Sequence, residues 1–402
     1  MKKLFQINSV LNSGSTGRIA EGIGEIAIQN AWESYIAYGR HANESKSHAI
    51  KIGNKFDVYS HVLQTRLLDR HGLASKRATV KLIDRIREIG PDIIHLQNIH
   101  GYYLNLPVLF GFLKEFDRPV VWTLHDCWAF TGHCAYFDYI GCDLWRSGCN
   151  NCPQKSKYPR SWLFDGSLRN YEIKKSLFTF MPNMTLVCPS KWLAGLIEES
   201  FLCDYEVRVI HNGIGLNKFK PYSSYIREKY NLVHDFLIVG VANIWDTRKG
   251  LQFLVELSNQ LKDDEKMILV GLSKKQIGSL PENIIGVEQT ESVQDLAEIY
   301  SSADVYLNPT LEDNFPTTNL ESLACGTPVI TFDTGGSPEC IDENTGIVVP
   351  KGSTAGLIDA ISKVRANGKQ FYSNNCTQRA RYMFNQNDRF AEYMKLYNDV
   401  LL

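Results

Sequence analysis

The chain has no long apolar run; nowhere in its 402 residues does it approach the roughly 20 consecutive apolar positions that cross a bilayer. Its first residues, Met1 to Gln6, lead directly into a strand pattern and show no charged-then-apolar leader. Net charge is also missing. Lys and Arg number 43 against 44 Asp and Glu, a formal balance of −1, so no global field gathers nucleic acid. Nor is there the polar bias of a disordered chain, since 44% of residues are hydrophobic and 22% charged, enough to fill real cores. Length suits two or three domains. These absences point to a cytoplasmic globular protein, in which ten cysteines stay mostly reduced and a cluster of them suggests metal before disulfides.

What is present is an alternation of strand and helix patterns. Residues 3–10, 92–96, 119–124, 184–188 and 206–210 read as strands. Residues 76–89, 106–116 and 165–180 read as helices. After the polar stretch 216–233, which lacks strong periodicity and reads as a linker, the alternation resumes. Strands at 236–242, 266–270, 283–287 and 305–307 are interleaved with helical spacing. Such alternation implies parallel, doubly wound sheets, with ligands beyond the strand C-termini. The apolar segment 101–110 suits a buried helix, with contact to a membrane as the competing reading.

Residues 304–330 carry the most chemistry. Val305, Tyr306 and Leu307 form a short strand closed by Asn308 and Pro309, and a polar loop follows. Pro316 stands where a helix can start, Leu320, Leu323 and Ala324 supply its apolar stripe, and Gly326 ends it. Asp313 therefore precedes a helix N-terminus and Glu321 lies on the helix body. First-turn amides near Thr317 and Thr318 suit a phosphate, and a nearby carboxylate suits ribose hydroxyls. The implied ligand is a sugar joined to a diphosphate.

Three further stretches bear on function. Residues 12–18 form a small-residue loop after the first strand, in which Gly17 permits close approach to a ligand and Arg18 can meet a phosphate; an ordinary turn is the competing reading. Arg248 and Lys249 follow a buried strand and suit a diphosphate leaving group, although a solvated surface pair fits them as well. Residues 127–159 break the alternation and hold five cysteines. Cys134, Cys142, Cys149 and Cys152 have the chemistry of a four-thiolate structural zinc site, with only Cys149 and Cys152 at tight spacing and His133 as a rival ligand. Small buried core residues are the alternative. No open three-ligand pattern suggests a catalytic metal.

Residues 313–329 resemble the acid-x7-acid donor motif of retaining glycosyltransferase family 4, usually Glu-Gly-Phe-Gly, four residues, then Glu-Ala-x-Ala-x-Gly-x-Pro-Val. Phe315, Glu321, Ala324, Gly326, Pro328 and Val329 match in place. Asp313 stands where the family usually has Glu, and Pro316, which has no amide to donate, where it usually has Gly. Asn243 and Ile244 occupy the usual arginine position, so Arg248 is its substitute. The segment from His211 to Phe219, including Asn212, is similar to the family's Asn-Gly-Val-Asp…Phe segment.

The resemblance covers nearly the whole chain and implies an α/β fold of GT-B type, two Rossmann-like domains facing across a cleft. Residues 1–217, with the Cys-rich insertion 127–159, would form the acceptor-side domain. Residues 218–384 would form the nucleotide-sugar domain, and a terminal helix over 385–402 would pack back on the first. The implied reaction moves a hexosyl-type sugar from a UDP- or GDP-sugar to a glycan or polyprenyl-diphosphate-linked glycan, with retention and no cofactor required for catalysis. Capsule or other surface polysaccharide synthesis at the inner face of the membrane, by peripheral association, is the implied setting. The expected donor set is Gly17, Arg18, Asn212, Arg248, Lys249, Asp313, Asn314, Phe315, Thr317, Thr318 and Glu321. His125 and Asp313 would contact the sugar, and Arg248 and Lys249 the leaving diphosphate. The rival readings are a sugar-nucleotide epimerase or phosphorylase of the same architecture, and a non-catalytic, zinc-stapled nucleotide-sugar binder.

Overall fold

A computed structural model describes residues 1–223 and 225–402. The chain divides into two units, residues 1–211 with 389–402, and residues 212–388. Among the described residues no helix is long and apolar enough to cross a membrane.

The first unit holds seven parallel strands: β1 (Lys3–Asn8), β2 (Glu33–Tyr38), β3 (His48–Lys51), β4 (Ile93–Leu96), β5 (Val120–Thr123), β6 (Met184–Cys188) and β7 (Val207–Val209). Their order is β3-β2-β1-β4-β5-β6-β7. Its helices are α1 (Gly14–Gln29), α2 (Lys55–Leu68), α3 (Lys76–Ile89), α4 (Leu106–Glu115), α5 (Ser167–Phe178) and α6 (Lys191–Glu198). Strands β4, β5 and β6 are buried at every position, as expected of a sheet covered on both faces. On α3, Ala78, Leu82, Ile83 and Ile86 form the buried stripe. On the other face Ile19 and Ile23 of α1 pack with Phe390, Tyr393, Met394 and Tyr397 from the final helix. Tyr397 Oη lies 2.6 Å from His95 Nδ1, and His95 Nε2 lies 2.8 Å from Thr123 Oγ1.

The second unit repeats the order with six parallel strands: β8 (Phe236–Val241), β9 (Glu265–Val270), β10 (Ile284–Val287), β11 (Val305–Asn308), β12 (Val329–Phe332) and β13 (Gly346–Val349), arranged β10-β9-β8-β11-β12-β13. Its helices are α7 (Ile226–Lys229), α8 (Leu251–Ser258), α9 (Lys274–Ile277), α10 (Val293–Ser302), α11 (Thr317–Ala324), α12 (Thr354–Asn367) and α13 (Lys369–Phe384), with α14 (Gln386–Val400) beginning here. Ser292 and Asp295 close a reciprocal capping box at the start of α10, which satisfies two backbone donors otherwise left orphaned.

Three elements differ from the sequence reading, and at a fourth, 101–110, the structure decides between the two readings given. Helix α1 starts at Gly14, so Gly17 and Arg18 lie in its first turns and not in a loop; Asn12 takes a positive φ of 44° and makes the turn earlier. The stretch 216–233 is not a free linker, because Phe219, Ile226 and Leu232 are buried in the second core. The segment 101–110 is buried in the first core, with Tyr103, Leu109 and Phe110 inaccessible, so it does not face a membrane. Helix α13 escapes pattern reading because only Tyr372, Cys376, Ala380 and Phe384 are buried, a single narrow row on an otherwise polar helix.

Candidate active site

In both units the strand order reverses at one point, between β1 and β4 and between β8 and β11. A crevice beyond the strand C-termini opens at such a point. The loops leaving β8 and β11 carry Arg248, Lys249 and Asp313, so the sequence-predicted donor residues of the second unit converge there.

The two loops are stitched together by backbone. Leu311 donates its N–H to the Arg248 carbonyl at 2.7 Å, and Arg248 Nη1 donates to the Glu312 carbonyl at 2.7 Å. One guanidinium nitrogen of Arg248 is thus committed to shaping the loop between β11 and α11. Gly250 sits at φ 79° with the Pro309 carbonyl where a Cβ would project. Gly335, at φ 57°, stands in the same relation to the Asp313 carbonyl, which also accepts the Gly336 N–H at 3.0 Å. Only glycine serves at these two close approaches.

Lys249 Nζ pairs directly with Asp313 Oδ2, both side chains being mostly covered. Glu321, 8% exposed, accepts a hydrogen bond from Tyr300 Oη at 3.1 Å. Burial, then the neighbouring Glu321 charge, pushes the Tyr300 phenol well up, so it stays a donor to that carboxylate. Asn314 and Phe315 are buried in the loop. Phe315 packs at 5.8 Å from the Phe384 ring and gives its carbonyl to Asn212 Nδ2 at 3.1 Å. Thr317 and Thr318 open α11, with Pro316 as its N-cap at φ −69°. First-turn amides have no intrahelical carbonyl to bond, and they carry the positive end of the helix dipole.

Sequence reasoning missed the polar network beneath this loop. Asn308 Nδ2 donates to Asn319 Oδ1 at 2.8 Å, Asn319 Nδ2 donates to Ser337 Oγ at 3.0 Å, and Ser337 Oγ meets Thr331 Oγ1 at 2.7 Å. All four residues are buried. The network ties β11, α11 and β12 to the turn carrying Gly335 and Gly336. A buried network with every member satisfied holds one geometry.

In the first unit, His125 follows β5. Its Nε2 lies 2.9 Å from Gln97 Oε1, Gln97 Nε2 donates to Gln6 Oε1 at 3.1 Å, and Gln6 Nε2 donates to the Ala20 carbonyl at 2.7 Å. The carbonyl at the far end can only accept, so each amide passes a donor along the row and His125 Nε2 carries the proton. Burial drives the imidazole down to about 4, against the opposing pull of Asp126. The neutral ring therefore leaves Nδ1 as an acceptor. Next to it, Asp126 Oδ2 lies 2.9 Å from His100 Nε2, and His100 Nδ1 lies 2.8 Å from Tyr158 Oη. Burial alone would raise the Asp126 carboxyl, but His100 and the Trp128 amide hold it below its ordinary value. Gly17 is buried against Val10 and Asn12, whereas Arg18 is exposed on α1. The four cysteines Cys134, Cys142, Cys149 and Cys152 line one small cavity in the insertion that follows His125.

Comparison with known proteins covers both units. Residues 32–218 match the model of Glycosyltransferase Family 4, and residues 235–367 that of Glycosyl transferases group 1. A putative colanic acid biosynthesis glycosyl transferase, WcaC of Escherichia coli strain K12, is 25% identical over 99% of this chain and 100% of its own. The D-inositol 3-phosphate glycosyltransferase of Mycobacteroides abscessus is 26% identical over 39% of each chain. Among solved structures, sucrose-phosphate synthase from Thermosynechococcus elongatus aligns with TM-score 0.74 at 19% identity, covering 100% of this chain and 99% of that one. Anabaena HepE in complex with UDP aligns at 0.70 and 15% identity, covering 99% and 100%. At such identities the structural likeness speaks for the fold. The two family models, one on each unit, speak for the lineage: this chain belongs to the family 4 glycosyltransferases of the GT-B fold.

Proposed function

We propose that the protein transfers a hexosyl group from a nucleotide diphosphate sugar to a glycan or lipid-linked glycan during surface polysaccharide synthesis, with retention of anomeric configuration. The observation that carries this reading is the Lys249–Asp313 pair at the strand-order reversal of the second unit, set against the first turn of α11. A lysine held there by a carboxylate is ready to move onto a diphosphate, and its fixed charge stabilises the leaving group as the glycosidic bond breaks. First-turn amides at Thr317 and Thr318 add donors to the same phosphates. Glu321, braced by Tyr300, is assigned to the ribose hydroxyls and Asp313 to the sugar ring. His125 offers its unprotonated Nδ1 to a sugar hydroxyl. In this reading the leaving phosphate takes the acceptor's proton, and no protein nucleophile is invoked.

The donor is proposed to be a UDP-hexose, supported by the solved HepE complexes with UDP and with UDP-glucose. The WcaC relative supports an exopolysaccharide acceptor. The test combines thermal-shift screening against UDP-, GDP- and dTDP-sugars with transfer of labelled hexose to a polyprenyl-diphosphate-linked glycan, reading product configuration by NMR. A specific donor should raise the melting temperature by mass action, and Glu321→Ala should abolish both the shift and the transfer. A chain that no sugar nucleotide stabilises, or one that converts the donor with no acceptor present, would refute the proposal.

A further inference from the structure

The segment between β5 and α5 has no strand and only three short 3-10 turns, at Cys127–Phe130, Asp138–Ile140 and Leu144–Arg146. Its local core is three rings, Phe130, Phe137 and Trp145, with centroids 5.1–6.1 Å apart. Loops of this length need a staple. Beside the rings lies a cavity of about 10 Å³, room for a single water or ion, and Cys134, Cys142, Cys149 and Cys152 all line it.

Backbone donors converge on three of these sulfurs. Gly132 donates its N–H to Cys149 Sγ at 3.1 Å. The amides of Leu144 and Gln154 point at Cys142 and Cys152 in the same way, each two residues beyond the cysteine it serves. A neutral thiol is a weak acceptor with little use for three amide donors, whereas a thiolate is stabilised by each of them. Two buried nitrogen-bearing side chains lie close by. Lys174, buried, holds Nζ 3.6 Å above the Trp128 ring and donates to the Trp128 and Thr131 carbonyls at 2.6 and 2.9 Å. His133 is buried with Nδ1 on Asp69 at 2.7 Å and with no hydrogen-bond partner at Nε2. Among the described residues no three ligating side chains already stand at the spacing a bound ion enforces. The sulfurs have to draw inward by side-chain rotation, which a segment without regular structure permits.

We propose that Cys134, Cys142, Cys149 and Cys152 bind one structural Zn²⁺ as a closed four-thiolate site that fixes the insertion following His125. Four thiolates are the donor set soft Zn²⁺ takes in structural sites, and a full set leaves no open position for chemistry. On binding, each thiol gives up its proton to the buffer. The ion acts by holding Tyr158, and through it the His100–Asp126 pair, on the first unit.

The test uses the full chain, purified under reducing conditions without chelator from zinc-supplemented medium. Elemental analysis should find one zinc per chain. Chelator-stripped protein refilled with Co²⁺ should develop the intense thiolate-to-cobalt charge-transfer absorption of a tetrahedral sulfur site. Cys142→Ser should lose the zinc and that absorption, whereas Cys203→Ser, at an exposed cysteine outside the cavity, should keep both. If Cys142→Ser does not fold, the unmodified chain decides alone. Zinc far below one per chain with no charge-transfer band on Co²⁺ addition overturns the proposal. So does a Cys134–Cys152 disulfide in freshly purified protein.

Discussion

The two units share one strand order and differ in what they bury. The first contains nine of the ten histidines, seven of the ten cysteines and six of the seven tryptophans; the second keeps only His234, three cysteines and Trp245. Inside the first, neutral imidazoles meet aromatic rings and amides, as at His71 against Tyr102 and Trp128. Inside the second, hydroxyls and amides do that work, through Asn308, Asn319, Thr331 and Ser337. A single scaffold thus carries two kinds of polar interior, and the loops at the strand-order reversal decide the chemistry.

Acid should separate the units most strongly. Burial lowers His61 and His95 to about 3 and His71 well below its ordinary value. The unfolded chain, titrating near 6.5, takes protons that the folded unit refuses, so stability falls as pH drops below about 6.5. At pH 5 each buried imidazole should cost about 2 kcal/mol, roughly 6 for the three. Urea titrations of Trp245→Phe, which leaves fluorescence only in the first unit, should show its midpoint collapsing between pH 7.5 and 5. An unchanged midpoint would erase the contrast.

The next effect belongs to the second unit and concerns activity. Lys249→Ala should lower turnover by about 10²–10³-fold, the usual loss when one fixed charge on a leaving group is removed. It should move the unfolding midpoint little, since a partly exposed ion pair contributes at most about 1 kcal/mol. Smaller again is Gly335→Ala, which adds a Cβ against the Asp313 carbonyl at positive φ. A strain of about 1–3 kcal/mol is expected, with transfer reduced more than stability. Gly90→Ala is its counterpart in the first unit, also at positive φ but facing open space, and should cost only about 1 kcal/mol in stability with activity intact. Smallest is Gln97→Leu, which removes the acceptor orienting His125 and should slow turnover about fivefold at neutral pH, the worth of one hydrogen bond.

The loop between β11 and α11 was legible in the sequence because its information is local. Strand, polar loop, helix start and glycine stop follow one another within residues 304–326, and the two acids stand on either side of the helix start. The alternation of elements and strands β1 and β4 to β11 were readable for the same reason, whereas β2 and β3 were not read. What stayed hidden depends on distant contacts. Gln97 reaches Gln6 across 91 residues, and neither amide differs in sequence from a surface residue. Arg248 reads as a free cation until its bond to the Glu312 carbonyl is seen. The buried Asn319 and Ser337 look like ordinary polar positions of a helix and a turn.

One feature of the chain path bears on how the molecule is made. Residues 389–402 complete the interior of the first unit, with Tyr397 against His95 and Phe390 beside Ile19 and Ile23. During synthesis the leading unit therefore waits, its hydrophobic face open, until everything from 212 to 388 has been translated. The part that is born first is finished last.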